Sequence, residues 1–255
     1  MAVSTVLEIV DIPVAEGSMR GYAVRPGSLE GSGGGADYST ASIIVIQEAF
    51  GVNNNIQRIT RRFASEEFFA IAPVLYHRQG VNPVAQYGDM ETVAKHRRGM
   101  TNELIAQDLN SVIAFLDRYG LADAENIGIV GFCMGGTVAY LGAVTNSRIK
   151  AAGVFYGGGI VNPPTEGGIP LIERTGEIKV PVTGFFGGQD QMIPEEHVDK
   201  IRDALTEADV ESEINVYPDA GHGFFCDERD SYNEAAANDS WDKVLAFFNK
   251  HLKNK

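Results

Sequence analysis

Cysteine is scarce in this chain, with only Cys133 and Cys226 among its 255 residues. Two cysteines are too few for a disulfide framework, and their spacing excludes a Cys-x-x-Cys redox couple or zinc site. Each cysteine is therefore interpreted individually, either as a reactive thiol or as a small apolar residue that fills the core.

Long apolar runs and basic clusters are also missing. No apolar stretch reaches the ~18 residues of a membrane-spanning helix, and the N-terminal segment carries Glu8 and Asp11 but no basic region typical of a signal peptide. We therefore expect a cytoplasmic protein. The 34 acidic and 21 basic residues give a formal net charge of −13. Because this charge repels phosphate groups, neither nucleic acid nor a membrane is an expected partner.

The composition is that of a globular protein, with 44 % hydrophobic and 22 % charged residues. Two segments rich in glycine, at 27–40 and 157–178, are expected to be loops. The strand pattern resumes unchanged after each of them, so neither marks a domain boundary. Since α/β folds of this length are commonly one unit, we predict a single domain over residues 1–255.

Strand-like and helix-like segments alternate along the chain. Short apolar runs of the kind found in strands buried on both faces lie at 42–50, 124–132, 149–156 and 180–187. Helical apolar spacing follows at 105–116 and 241–252. Because each crossover between parallel strands needs a connection of helix length, the alternation predicts an α/β fold with a mostly parallel central sheet and helices on both faces. The segments at 6–14 and 19–26 predict an antiparallel pair at its start.

The segment around Cys133 carries the strongest chemical indication. An apolar strand ends at Gly131-Phe132-Cys133-Met134-Gly135, and a helix rich in small residues begins at once. In the Gly-x-Ser-x-Gly elbow the nucleophile occupies such a strand-to-helix turn, and here cysteine replaces serine. The helix N-terminus stabilises a thiolate and offers backbone N–H groups to an oxyanion. The alternative is a buried structural cysteine beside glycines that merely permit close packing.

A thiol nucleophile needs a base, and His222 is the candidate because it lies between glycines after the strand pattern at 214–218. Asp190, just past a buried strand, is the candidate for orienting the imidazole, with helix capping before Pro194 as its alternative. The order nucleophile, acid, histidine is the one that elbow enzymes on α/β sheets have. The remaining four histidines are expected at the surface: His77, His96, His197 and His251.

Glu48 ends the strand at 42–50, so it would project from the carboxyl edge of the sheet, where open α/β sheets bind ligands. Its carboxylate either accepts a hydrogen bond from the resting Cys133 thiol or caps local backbone groups. The amide of Ala49 is a candidate oxyanion donor beside that of Met134, because this arrangement takes one donor from an early loop and one from the residue after the nucleophile.

These segments resemble the dienelactone hydrolase (carboxymethylenebutenolidase) family of the α/β-hydrolase superfamily. The matching pieces are QEAFGVN at 47–53, APVLYHRQG at 72–80, GFCMGG at 131–136, GGQDQMIP at 187–194 and AGHGFF at 220–225. The resemblance implies the α/β-hydrolase fold, a catalytic triad of Cys133, His222 and Asp190, and the roles described above for Glu48 and the two amides.

The resemblance also implies a substrate site. The reference substrate of the family is dienelactone, a carboxylated enol-lactone from the breakdown of chloroaromatic compounds, whose carboxylate is held by two arginines. Arg78 matches one of them, and Tyr76 and Phe50 lie in matching segments and are expected to line the site. The second arginine is expected four residues after the histidine, where this chain has Cys226. Arg229, three residues further, does not restore a bidentate clamp unaided, which argues against dienelactone itself.

We therefore predict a cysteine-dependent hydrolase that acts on a small lactone or activated ester through an acyl-cysteine intermediate. This scheme requires no metal or organic cofactor, and no metal-ligand spacing is found in the sequence. One alternative is a broader carboxylesterase or thioesterase. The other is a thiol sensor or binding protein that has the fold without turnover.

Overall fold

The computed structural model describes residues 4–27, 40–120, 122–162 and 169–253. Most of the expected loop at 27–40 lies outside these residues, as does the middle of the segment at 157–178. The latter segment includes a described 3-10 helix at Leu171–Glu177.

The strands of the described residues form one eight-stranded sheet. In chain order they are β1 (Thr5–Val14), β2 (Gly17–Pro26), β3 (Thr40–Ile46), β4 (Phe69–Pro73), β5 (Ala122–Phe132), β6 (Ile149–Phe155), β7 (Val182–Gly187) and β8 (Ser212–Tyr217). Their order across the sheet is β1-β2-β4-β3-β5-β6-β7-β8. The pairs β3 with β4, β6 with β7 and β7 with β8 are parallel, whereas β1 pairs antiparallel with β2. The mostly parallel sheet and its antiparallel start are thus confirmed.

Helices lie between the strands as the alternation predicts. They are α1 (Asn54–Ser65), α2 (Met90–Arg97), α3 (Asn102–Leu116), α4 (Met134–Thr145), α5 (Glu195–Glu207) and α6 (Glu234–Phe248). The final helix continues into a π-helical turn at Asn249–Lys253. Within the described ranges, no helix combines the length and the apolar character needed to cross a bilayer.

Packing divides the chain into two compact units, Met1–Gly128 and Ile129–Lys255. In the first unit, every residue of β4 is buried, and so is β3 after its first residue. The helix α1 begins where the Asn53 side chain accepts a hydrogen bond from the Ile56 amide at 3.2 Å. It then buries Ile56, Ile59 and Phe63 at helical spacing.

The second unit has an aromatic core beneath three strand ends. Phe155 stacks on Phe132 with ring centroids 4.6 Å apart, and on its other side it stacks on Phe185 at 4.5 Å. These side chains come from the last residues of β5 and β6 and from β7. Since such aromatic pairs bury large areas and restrict relative movement, they hold the carboxyl ends of the three strands in fixed positions.

Candidate active site

Cys133 occupies the single-residue turn between β5 and α4. Its backbone has φ +57° and ψ −116°, an unfavourable conformation for a residue with a side chain. Its amide donates to the Phe155 carbonyl at 3.0 Å, and its carbonyl accepts from the Gly136 amide at 3.0 Å. The strand-to-helix turn expected from the sequence is therefore present, and the residue at its apex is the cysteine.

The flanking glycines are required by close backbone contacts. A Cβ atom added at Gly131 would lie 1.9 Å from the Gly135 carbonyl oxygen, and one added at Gly136 would lie 2.4 Å from the Phe155 carbonyl oxygen. Neither neighbour can yield easily because both are backbone atoms. The glycines thus allow β5, α4 and β6 to approach closely enough to form the turn.

Asp190 and His222 meet because the loops after β7 and β8 are bonded to one another. The Gln189 amide donates to the Ala220 carbonyl at 2.9 Å. A Cβ atom at Gly187, the last residue of β7, would lie 2.3 Å from the same carbonyl oxygen. The loop that carries the acid and the loop that carries the histidine are therefore held side by side.

The imidazole of His222 bridges the other two side chains. Its Nδ1 atom lies 2.7 Å from Asp190 Oδ2, and its Nε2 atom lies 3.2 Å from Cys133 Sγ. The side chain of Asp190 is fully buried, whereas that of His222 is 11 % exposed. The three residues singled out in the sequence thus form a continuous hydrogen-bonded chain, with its sulfur end only partly covered.

Asp190 also accepts hydrogen bonds from the backbone. Its Oδ1 atom accepts from the Met192 amide at 2.8 Å and from the Ile193 amide at 3.1 Å. Asp190 therefore both caps backbone amides, through Oδ1, and bonds to the His222 ring, through Oδ2. The capped segment is the turn before α5, because the helix itself begins after Pro194.

The electrostatic surroundings of His222 favour its protonated form. Burial lowers the pKa of His222. Hydrogen bonds to Asp190 and Cys133, together with negative charge at both partners, raise this pKa by more than burial lowers it, from 6.5 to about 9. An imidazole protonated on both nitrogens donates to the carboxylate on one side and to the sulfur on the other.

The early-loop candidates lie in the first unit. Glu48 is completely buried at a bridge with Gly51, just after β3. The Tyr76 hydroxyl donates to the Ala49 carbonyl at 2.9 Å and thereby fixes this turn. The ring of Phe50 packs edge-on against Tyr87 with centroids 4.8 Å apart. Tyr76 is itself almost entirely buried, so its hydroxyl has a structural partner within the turn.

Arg78 forms ion pairs with the buried Asp108 and the exposed Glu16, neither of which the sequence pattern predicts. Its Nη1 and Nη2 atoms donate to the two Asp108 oxygens at 2.7 and 3.0 Å, and Nε donates to Glu16 at 2.9 Å. His77 lies 3.2 Å from Asp108 and its side chain is only 5 % exposed, so its expected surface position is wrong. Burial raises the pKa of Asp108, but the hydrogen bonds from His77 and Arg78 outweigh burial and hold it below its usual value.

We expect Arg78→Met to lower the free energy of unfolding by roughly 3–5 kcal/mol, because it leaves the buried Asp108 carboxylate without its two hydrogen bonds from the guanidinium. Arg202→Met is the matched control, since its ion pair with Asp199 is exposed on α5; its loss should be ~0–1 kcal/mol. Urea denaturation measures both. Equal small losses in the two variants would mean that Arg78 does not stabilise the buried Asp108 carboxylate. The double variant Arg78→Met/Asp108→Asn also removes the charge of that carboxylate, so it should recover part of the lost stability.

A strand-to-helix elbow followed along the chain by an acid and a histidine, on a mostly parallel sheet, defines the class of α/β-hydrolases. The chain belongs to the dienelactone hydrolase family, whose model matches residues 32–252. It is therefore a hydrolase that acts on ester or lactone bonds. In the described part of the chain, no group of three or more His, Cys, Asp or Glu side chains is arranged to hold a metal ion.

Individual relatives agree with this assignment over almost the whole chain. A Synechocystis protein provisionally named a carboxymethylenebutenolidase is 37 % identical, covering 99 % of this chain and 100 % of its own length. A Salmonella typhimurium protein of the same name is 37 % identical over 94 % of this chain and 86 % of its own length. A Klebsiella pneumoniae crystal structure, provisionally named a dienelactone hydrolase, has a TM-score of 0.87 at 34 % identity, covering 97 % of this chain and 100 % of that one. The predicted α/β-hydrolase fold is confirmed.

Proposed function

We propose that the protein hydrolyses a small lactone or activated ester through an acyl intermediate on Cys133. The observation that carries this proposal is the hydrogen-bonded chain from Cys133 Sγ through the His222 ring to Asp190, with separations of 3.2 and 2.7 Å. A nucleophile, a base within reach of it and a group that orients the base are the parts that covalent catalysis requires.

Acylation starts when the resting Cys133 thiol gives its proton to His222, directly or through a rearrangement involving Glu48, which leaves an imidazolium that donates to the sulfur. The thiolate attacks the substrate carbonyl, and the negative charge moves to the carbonyl oxygen. The amides of Met134 and Ala49 are the proposed oxyanion donors. Loss of one such donor typically raises the activation free energy by about 2.7–4 kcal/mol. As the tetrahedral intermediate collapses, the C–O bond breaks and His222 gives its proton to the leaving oxygen. For a lactone, this step opens the ring and leaves a thioester on Cys133.

Deacylation needs a base, and formation of the thioester supplies it. Both contributions of Cys133 to the raised pKa of His222, the hydrogen bond and the negative charge, disappear when the sulfur is acylated. The imidazole therefore releases its proton more readily in the acyl-enzyme. It can then accept a proton from the attacking water, while Asp190 stabilises the imidazolium that forms. Breaking the C–S bond frees the carboxylic acid and restores the thiolate.

The chemistry of the thiolate favours activated substrates. In the tetrahedral intermediate a thiolate leaves more easily than most alkoxides. When the substrate has a poor leaving group, the intermediate therefore expels the thiolate and re-forms the substrate instead of the acyl-enzyme. Enol-lactones and aryl esters, whose leaving oxygens are stabilised, are the expected substrates, and unactivated amides are not. A carboxylesterase or thioesterase would use the same residues.

The residues of the early loop complete the proposal. Glu48 is proposed to pair with the resting thiol, and Phe50 and Tyr76 to line the substrate site. Arg78 is proposed to contact the substrate carboxylate. Its Nε partner Glu16 is 60 % exposed and therefore replaceable by a substrate group, whereas its bonds to the buried Asp108 are not.

The test compares p-nitrophenyl acetate, an acyl thioester, and enol-lactones with and without a carboxylate, with intact-mass detection of an adduct. Lactone turnover with an acyl adduct on Cys133 supports the proposal. Turnover of p-nitrophenyl acetate without the lactones, again with an adduct on Cys133, supports an activated ester as the substrate. If the thioester is hydrolysed as fast as the enol-lactones and p-nitrophenyl acetate, the broader esterase or thioesterase alternative is correct. If no substrate reacts and no adduct forms, the thiol sensor or binding protein is favoured.

We expect the His222 ring to titrate near pH 9, well above the usual 6.5, because its partners stabilise the proton. Its contribution to the free energy of unfolding is complete below about 6.5 and is lost as the pH rises through about 9. NMR of the ring protons measures the midpoint directly. In Cys133→Ala both contributions of the sulfur are absent, so the midpoint should move down. A midpoint that is the same in both proteins would contradict the coupling between sulfur and ring.

A further inference from the structure

Tyr156, the residue that follows β6, has an unusual backbone conformation. Its φ is +39°, in the left-handed region that residues with side chains rarely adopt, and its side chain is completely buried. Residues held in such conformations occur where the surrounding structure fixes a side chain in a required direction. The surrounding structure therefore fixes the direction of the Tyr156 ring.

The Tyr156 ring contacts the imidazole of His222. Their centroids lie 5.2 Å apart with an interplanar angle of 64°, an edge-to-face arrangement. A second edge-to-face contact, at 5.3 Å and 70°, joins Tyr156 to Phe224 two residues after the histidine. One ring thus packs against both the imidazole and the segment that carries it.

The backbone at Tyr156 is fixed to the elements that carry the other two triad residues. The Tyr156 amide donates to the Phe185 carbonyl on β7 at 2.8 Å, and Asp190 follows that strand. The carbonyl of the preceding residue, Phe155, accepts from the Cys133 amide at 3.0 Å. The end of β6 is therefore bonded to both the elbow and the acid-bearing strand, and it places the ring relative to both.

We propose that Tyr156 is a positioning residue, whose ring holds the His222 imidazole in the plane that brings Nδ1 to Asp190 and Nε2 to Cys133. This inference rests on the proposed function of the triad. The imidazole can rotate about its bond to Cβ, and such rotation would break both hydrogen bonds at once. An edge-to-face partner restricts rotation because the aromatic contact is directional. Since the contacts with His222 and Phe224 are both made by the ring, phenylalanine should replace tyrosine at 156.

The experiment compares Tyr156→Phe with Tyr156→Leu, and uses Tyr140→Leu as the matched control. Tyr140 is also a fully buried tyrosine of the second unit, and its hydroxyl bonds to Thr175 at 2.5 Å. We expect Tyr156→Phe to retain kcat within about threefold, and Tyr156→Leu to lose roughly 10²-fold in kcat with little change in KM, as a misplaced catalytic group does. Tyr140→Leu should lose stability without loss of kcat per folded molecule.

NMR titration of the His222 ring supplies a second readout that does not depend on turnover. In Tyr156→Leu the midpoint should fall, because a rotating imidazole loses its hydrogen bonds, whereas Tyr140→Leu should leave it unchanged. If Tyr156→Leu does not fold, Tyr156→Met, which fills a similar volume without an aromatic edge, takes its place. An unchanged kcat and an unchanged His222 midpoint in the non-aromatic variant would overturn the proposal. A loss of kcat in Tyr156→Phe as large as that in the non-aromatic variant would also overturn it.

The two proposals fail in distinguishable ways. Turnover that persists in Cys133→Ala would contradict the acyl-cysteine mechanism, yet the effect of Tyr156 on the His222 titration would still be measurable. Conversely, if turnover requires Cys133 but Tyr156→Leu changes neither kcat nor the His222 midpoint, only the positioning role is rejected.

Discussion

Replacement of Cys133 by alanine is expected to lower kcat for lactone and ester hydrolysis by roughly 10⁴-fold or more, because no other group at the elbow can form the acyl bond. Only the activity provided by substrate binding and the oxyanion donors should remain. Steady-state kinetics measure the loss, and intact mass should detect an acyl adduct in the wild type and none in Cys133→Ala.

Two further variants make the Cys133 prediction specific. Cys133→Ser keeps the shape of the elbow but replaces the sulfur by a hydroxyl, which is a weaker nucleophile, so we expect a residual activity between wild type and alanine. Cys226→Ala is the matched control, since Cys226 is the only other cysteine and is completely buried. It should retain both turnover and the adduct. An adduct on Cys226, or full activity in Cys133→Ala, would contradict the acyl-cysteine mechanism.

The features that sequence reasoning located are those that depend on neighbours along the chain. The elbow could be predicted because the close contact that requires Gly131, with the Gly135 carbonyl, lies within a few residues of the nucleophile. The buried parallel strands could be predicted because burial on both faces produces continuous apolar runs. The position of His222 followed from its place after the last strand. The single domain over residues 1–255 stays a prediction.

The features that were missed depend on contacts between distant segments. Asp108 lies on the buried side of α3, three residues after Ile105 and four before Val112, and this spacing was an available indication of a buried charge. The residues that pair with it, His77 and Arg78, lie about thirty residues earlier, so no local pattern joins them. The positive φ of Tyr156 likewise has no local sequence indication, because the residue is not glycine, asparagine or aspartate.

Asp190 illustrates why the sequence left two interpretations open. A single acidic residue before a helix is expected to cap backbone amides, and a single acidic residue after a buried strand is expected to orient a catalytic histidine. The structure assigns one carboxylate oxygen to each set of hydrogen bonds. A substitution that affects only one oxygen can therefore separate catalysis from folding.

Asp190→Asn is expected to lower kcat by roughly 10⁴-fold while leaving the fold intact. Asparagine keeps an oxygen acceptor for the Met192 and Ile193 amides. This orientation turns its NH₂ group toward His222 Nδ1, which must then be an acceptor. The ring is thereby held with its proton on Nε2, so it cannot act as a base toward the sulfur or water. Kinetics together with urea denaturation measure the two effects separately.

Asp190→Ala is the comparison variant for Asp190→Asn. It removes both oxygens, so activity should fall as in the asparagine variant. Stability should fall as well, because the buried Ile193 amide loses its acceptor at a typical cost of about 1–3 kcal/mol and the part-buried Met192 amide loses the same acceptor. The His222 midpoint should lie below about 9 in both variants, since the hydrogen bond that His222 donates to Asp190 is the largest contribution that raises its pKa. Wild-type kcat in Asp190→Asn would show that capping is the only role of this carboxylate and that His222 needs no orienting acid.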